Sequence, residues 1–256
     1  MSDSDACETW KREARMGRQK NKWLLWVLSG ALLCLAFAAG LPAKDADLVA
    51  GKRLFRSAEI SETGLMCWHC HADFNEKKTP DSYVRPGHPM YNVGHKSKYR
   101  RWDGAPLQTI DDAIASCMIR WMTKRKPASY DGEPAQKHHV RQLVAYLQSE
   151  ELSPEKKSKP VEPIVDDKMP SDRMLSLGDA SFGGVVFRQS CGICHKTEGT
   201  GPAPSLIRNG YSRYQIAKKV RGLDEKGLNG LRMPLFSKDR LSDRQLLNVV
   251  AYVYQL

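Results

Sequence analysis

Two five-residue runs constrain this chain of 256 residues more than anything else in it: Cys67-Trp68-His69-Cys70-His71 and Cys191-Gly192-Ile193-Cys194-His195. Both have the spacing C-x-x-C-H, which sets two thiols three positions apart and an imidazole directly after the second. Two thiols so placed can add to the two vinyl groups of one porphyrin, with the adjacent histidine under the iron as its proximal ligand. A lone C-x-x-C serves equally as half of a zinc site or as a redox dithiol. Two copies, each closed by His, favour haem attachment. The other three of the seven cysteines, Cys7, Cys34 and Cys117, stand singly, a poor pattern for a disulfide framework. The expectation is two covalently bound c-type haems, one on Cys67, Cys70 and His71, the other on Cys191, Cys194 and His195.

The sequence around the motifs repeats approximately. Gly51-Lys52-Arg53-Leu54-Phe55 precedes the first pair and Leu143-Val144-Ala145-Tyr146-Leu147 follows it; Gly183-Gly184-Val185-Val186-Phe187 precedes the second and Val249-Val250-Ala251-Tyr252-Val253 closes the chain. These pieces have helical apolar spacing, so each copy reads as a first helix, a motif, a variable middle and a last helix. Strand patterns of convincing length are absent, and the fold class is all-α. The stretch from 151 to 177 is rich in Lys, Glu, Asp and Pro, a composition that does not bury a core, and is read as a linker lying extended over the surface. The expected organisation is a basic segment over 1–22, a transmembrane anchor over 23–42, a first haem domain over 44–150, the linker over 151–177 and a second haem domain over 178–256.

The anchor is inferred from the charge-free run between Trp23 and Leu41, long enough as a helix to cross a hydrocarbon core of about 30 Å. Lys11, Arg12, Arg15, Arg18, Lys20 and Lys22 precede it, which places the N-terminus in the cytoplasm and the rest outside, in the bacterial periplasm. A cleaved leader is the competing reading, given small residues at Ala38, Ala39 and Ala43, but the run exceeds the usual leader core of about 7–15 residues. Cys34 follows Leu33 and reads as a lipid-facing residue, not an acylation site. The formal net charge of +11 permits nucleic acid, an anionic membrane surface or an acidic protein as partner. With no nucleic-acid motif beside it, the cluster Lys96, Lys98, Arg100 and Arg101 reads as a solvated face, a propionate contact or a docking face for an acidic redox protein.

The second copy resembles the class I cytochrome c domain over about 179–256. Pro204-Ser205-Leu206 is similar to that family's loop whose proline carbonyl orients the proximal imidazole, here His195. Arg232-Met233-Pro234 is similar to its distal loop, which makes Met233 the implied sixth ligand; a buried gap-filling methionine is the alternative. Phe187 and Tyr252 would pack where first and last helices cross. A His/Met pair raises the reduction potential, which suits an electron exit.

The first copy lacks a comparable Met-Pro. Its segment 109–122 reads as a helix capped by Thr109, with Ile110, Ala113, Ile114, Cys117, Met118 and Trp121 on one face. Together with Tyr99, Arg100 and Arg101, the pattern Ile114, Cys117, Arg120, Met122 and the ending Ala145-Tyr146-Leu147 resemble the dihaem thiosulfate dehydrogenases and the haem-bearing A subunit of the sulfur-oxidation cytochrome complex. That resemblance implies Cys117 as a thiolate ligand of the first iron and Arg120 as a clamp for an anionic substrate. Met118 and Met122 are the alternative ligands, with Met90, His88, His95, His138 and His139 further candidates; Cys117 as a buried small hydrophobe and Arg120 as a propionate partner or surface charge are the competing roles. Adjacent on one helix, His138 and His139 should diverge and hold no joint metal.

Two functions follow from these residues. The favoured one is a membrane-anchored dihaem cytochrome that relays single electrons, as a tethered carrier or a subunit of a respiratory or oxidising complex. The other is an enzyme oxidising thiosulfate or a similar sulfur anion at the first haem. The cofactor carries the hard step in both, so the motifs alone do not separate them.

Overall fold

The computed structural model describes residues 43–101, 105–123, 137–158, 169–196, 201–222 and 233–256. The expected anchor lies outside them; among the described residues no helix is long and apolar enough to cross a membrane. The chain divides into two units, Met1–Asp45 and Ala46–Leu256. Of the first only the opening residues of one helix are described, and everything below concerns the second.

The elements are α1 (Ala43–Phe55), α2 (Cys67–Cys70), β1 (Tyr99–Arg100), β2 (Pro106–Leu107), α3 (Ile110–Cys117), a π-helical turn (Met118–Met122), α4 (Lys137–Leu147), α5 (Asp172–Leu175), α6 (Ala180–Ser190), α7 (Arg213–Val220) and α8 (Asp243–Gln255). The fold is helix-rich, as expected, and its two short strands form an antiparallel ribbon with Tyr99 opposite Leu107. Caps account for many helix starts. Thr109 accepts from the Asp112 amide while Asp112 reaches back, and Ser212 with Gln215 and Ser242 with Gln245 form the same reciprocal box.

Two apolar cores lie within the single compact unit. The first gathers Leu54, Phe55, Ile110, Met118, Met122, Val140, Leu143, Tyr146 and Leu152; the second gathers Leu175, Val186, Phe187, Ile216, Val220, Phe236, Leu246, Val249, Val250 and Val253. A fully buried side chain of this size contributes about 1.5–3 kcal/mol. The repeat seen in the sequence is a shared helix crossing. A Cβ on Gly51 would sit 1.9 Å from the Gln142 carbonyl oxygen, and one on Gly183 would sit 2.0 Å from that of Asn248. At both places the first helix meets the backbone of the last, one turn before a tyrosine. Four residues after each glycine an aromatic ring meets that tyrosine: Phe55 and Tyr146 at 5.9 Å, Phe187 and Tyr252 at 5.2 Å between centroids.

Three expectations are corrected. The stretch assigned to the linker is not surface chain at its ends. Leu152 and Ser153 are buried in the first lobe and Leu175 in the second; the Asn92 amide donates to the Leu152 carbonyl and the Gly94 amide to Ser153 Oγ, so a few apolar and small residues among the charges suffice to pin it. Second, the helix expected over 109–122 is α-helical only to Cys117. The wider π turn then inserts a residue into the spacing, so Ile119 and Met122 turn inward, while Trp121 is only partly buried. Third, the imidazoles of His138 and His139 do not diverge but pack on one another, 3.9 Å between centroids.

Asp73 ties the first lobe together. Arg56 donates to it through Nε at 2.7 Å and through a terminal nitrogen at 2.5 Å, and Tyr146 through its hydroxyl at 2.9 Å. Burial pushes the Asp73 carboxyl up, but those bonds outweigh it and hold it below its ordinary value. A depressed carboxyl contributes stability that is complete above its unfolded pKa, about 3.9, and is lost as pH falls through the folded value. Asp73→Ala is expected to cost about 1–3 kcal/mol, from the orphaned Tyr146 hydroxyl, and to flatten the acid limb of stability; denaturant melts between pH 3 and 7 check both. Gly183→Ala forces a Cβ into the Asn248 carbonyl and is expected to lower stability by about 1–3 kcal/mol or more, measured by thermal unfolding.

Candidate haem sites

In the second lobe α6 runs directly into the motif: Cys191 caps it, and the Cys194 and His195 amides both donate to the Cys191 carbonyl. This single turn puts both thiols and the imidazole on one short loop. The His195 Nδ1–H donates to the Pro204 carbonyl at 2.7 Å, the partner expected from the sequence. Gly201 allows the approach, since a Cβ there would lie 2.0 Å from the Cys194 carbonyl oxygen. Met233 is partly buried against the second core. Its loop is fastened just downstream, where the Phe236 amide donates to the Val220 carbonyl and Arg221, buried itself, donates to the Phe236 and Leu241 carbonyls and to Asp243. Arg232 lies outside the described residues.

The first lobe solves the same problem with other residues. The His71 Nδ1–H donates at 2.7 Å to the backbone carbonyl of His88, so the residue weighed as a distal ligand acts through its main chain on the proximal side. Its ring is spent elsewhere, donating through Nε2 to Asp239 at 2.5 Å. Gly87 packs flat on the imidazole: a Cβ there would lie 2.2 Å from His71 Cε1. His69, inside the motif, accepts the Met66 amide N–H on Nδ1 and has a structural role. Neither Gly87 nor the His88 carbonyl carried a signal in the sequence, because this loop is longer than its counterpart and has no Pro-x-Leu.

Around the first motif Cys117 is partly buried at the end of α3, close enough to help raise the Cys67 and Cys70 thiols. Met118 and Met122 are instead spent in the apolar core at 2% and 3% exposure, and Met90 packs against the same core. His95 keeps its Nε2 buried. His138 and His139 begin α4, their rings packed on each other. Arg120 sits in the π turn with its guanidinium 5.1 Å from the Trp121 ring centroid.

Burial sets the protonation of every donor. It pushes the His71 imidazole down to about 4, against the His88 carbonyl, and His195 down against the Pro204 carbonyl. It pushes Cys67 up to about 12 and Cys117, Cys191 and Cys194 up to about 11. The five described cysteines are free thiols. Among the described residues no three His, Cys, Asp or Glu groups converge to hold a metal ion by themselves. Paired thiols with a neutral imidazole whose Nδ1 is spent on a carbonyl, leaving Nε2 for iron, fit covalent haem at both motifs.

Residues 178–253 match the family model described as cytochrome c oxidase, cbb3-type, subunit III. The C-terminal lobe is a cytochrome c domain. Such a domain carries a covalently bound c-type haem and transfers electrons. No curated protein matches the sequence. Among solved structures the chain is similar to the thiosulfate dehydrogenase (TsdBA) from Marichromatium purpuratum in its as-isolated form, with 15% identity and a TM-score of 0.41, over 84% of this chain and 47% of that one. The chain thus spans about half of that protein's length, and a likeness of this degree carries no argument about what it acts on.

The cytochrome c domain also comes close to the first motif: a Cβ on Gly64, three residues before Cys67, would lie 3.5 Å from Pro202 Cβ. Gly87→Ala must rotate His71 off its carbonyl, so a haem held on His71 would change its visible and paramagnetic spectrum while the C-terminal haem's is unchanged; spectra of the purified variant check this.

Proposed function

We propose that the chain is a membrane-anchored c-type cytochrome of two tandem haem domains that transfers single electrons in the bacterial periplasm, holding one haem on Cys67, Cys70 and His71 and a second on Cys191, Cys194 and His195. The observation that carries this reading is the closeness of the two motifs: the Val84 amide, on the segment that clamps His71, donates to the Gln189 carbonyl two residues before Cys191, and Gly64, three residues before Cys67, faces Pro202. Electron transfer weakens steeply with distance, and a chain that merely linked two unrelated domains would have no need to hold the motifs side by side. A haem at each motif supplies a one-electron couple. His195, clamped by Pro204, and Met233 would hold the second iron. His71, clamped by the His88 carbonyl, and Cys117 would hold the first, because Met118 and Met122 are committed to the core. A thiolate from Cys117 makes that iron harder to reduce than a His/Met one, which orders the sites as entry and exit.

The N-terminal basic segment and the charge-free run that follows support an anchor that keeps the redox head near a membrane partner. The positive balance supports an acidic docking surface on a donor or acceptor, or a larger complex. A second reading, oxidation of a sulfur anion such as thiosulfate at the first site, is favoured by one observation. Arg120 follows Cys117 within a π turn, a feature frequent at functional sites, and could supply the cationic clamp such a substrate needs.

The full chain, purified from membranes, is expected to carry two haems by pyridine haemochrome assay. Magnetic circular dichroism and electron paramagnetic resonance should detect a thiolate-ligated low-spin haem that disappears in Cys117→Ala. Its disappearance makes thiosulfate-dependent reduction the next assay. Unchanged His/Met or His/His signatures remove the support for sulfur chemistry, direct attention to His95 and leave a tethered carrier; a single haem per chain refutes the dihaem reading.

A further inference from the structure

One segment of the first lobe, 76–88, touches both the first motif and the second lobe. Toward the first, the Gly87 amide donates to the Cys70 carbonyl, His88 offers its carbonyl to His71, and Arg85 donates through Nε to the Trp68 carbonyl while lying 4.5 Å over the Trp68 ring. Toward the second lobe, the Val84 amide donates to the Gln189 carbonyl, two residues before Cys191, and the His88 ring donates to Asp239. Arg240 closes the contact. Its Nε donates to the Arg85 carbonyl at 2.9 Å, and its two terminal nitrogens grip the Glu76 carboxylate at 2.7 and 3.0 Å.

We propose that Arg240, a residue of the C-terminal cytochrome c domain, is a positioning residue for the first haem site: it holds the 76–88 segment that clamps His71, and its cation raises the reduction potential of the haem there. The proposal rests on the reading of a haem at His71. The fork is worth more than an exposed ion pair because both partners are mostly out of water, with side chains 13% and 18% exposed, where charge is screened little. Its charge sits beside the clamp: Arg240 Nε reaches the Arg85 carbonyl, two residues before Gly87, which packs on the His71 ring. Of the other cations on the segment, Lys77 and Lys78 are exposed, and Arg85 is wholly buried, offset chiefly by Asp81 at 2.8 Å with Glu76 farther off at 3.8 Å. Reduction adds an electron, so a nearby cation favours the reduced state and a freed carboxylate favours the oxidised one.

The test is a potentiometric titration of the full dihaem chain. Each haem is followed by its paramagnetic signal, assigned by which signal is lost in C67A/C70A and in C191A/C194A. Arg240→Gln should move the first haem's midpoint negative, Glu76→Gln should move it positive, and Arg240→Lys, which keeps the charge, should stay near the wild type. A latch that only held the loop in place would shift both Gln variants in the same direction, and that result, or no shift in either, overturns the proposal while two haems per chain leave the dihaem reading standing. One haem per chain, with the first motif empty, overturns both. Should Arg240→Gln fail to accumulate, Glu76→Gln decides alone by the sign of its shift.

Discussion

Each lobe is organised by a backbone-to-backbone contact between its first and last helices. Gly51 lies against Gln142 and Gly183 against Asn248 at distances no side chain would allow, so the helix axes approach more closely than side-chain packing normally permits. The aromatic pair one turn on, Phe55 with Tyr146 and Phe187 with Tyr252, then fills the angle between them. In the second lobe this crossing fixes where α6 ends, and the motif begins on the next residue. In the first lobe eleven residues, 56–66, intervene between α1 and Cys67, and the lobe spends extra bonds to place its motif: Arg56 and Tyr146 hold Asp73, and Asp73 lies two residues beyond His71.

The two lobes answer the same chemical need by unlike means. An imidazole that serves as a proximal ligand must present Nε2, and both lobes arrange for this by giving Nδ1–H a backbone carbonyl at 2.7 Å. In the second lobe the carbonyl belongs to Pro204, on a short loop of its own lobe. In the first it belongs to His88, on a long loop that needs outside support, and the second lobe supplies it through Arg240 and Asp239. The cost of burying charge explains why the support is so elaborate. Arg85 is fully buried, and its guanidinium is matched by Asp81, the Trp68 carbonyl and the faces of Trp68, Tyr83 and Phe74; removing one member of such a set leaves an uncompensated charge. The lobes are therefore parts of one compact unit, although each has its own core.

How much of this was legible in the sequence follows from the range of the interactions. The motifs, the Thr109 cap, the Gly-to-Phe spacing, the Pro204 carbonyl and the Phe187–Tyr252 contact are carried by short patterns or by the resemblance to class I cytochromes c. The π turn was not legible, because a change from i+4 to i+5 spacing leaves the apolar residues in place and only reassigns which face them inward. The anchored ends of the 151–177 stretch were hidden by its composition, where two or three buried residues are outweighed by many charged ones. The Glu76–Arg240 fork joins residues 164 positions apart, and no local pattern announces such a pair. His88 was read for its imidazole, whereas the fold uses its carbonyl, which every residue has.

The protonation of the pockets bears on what chemistry the C-x-x-C pairs can do. A redox dithiol works through a thiolate, usually one held at a pKa of about 3.5–7.5 by nearby positive charge or a helix N-terminus. Here burial acts the other way, pushing Cys67 up to about 12 and Cys191 and Cys194 up to about 11. The same low-dielectric surroundings push His71 down to about 4, which keeps its imidazole neutral and available to a metal at any physiological pH. One environment thus disfavours the thiolates and favours the neutral imidazole. Of the three chemistries open to a C-x-x-C pair, that combination suits thioether attachment of a haem whose iron the histidine binds.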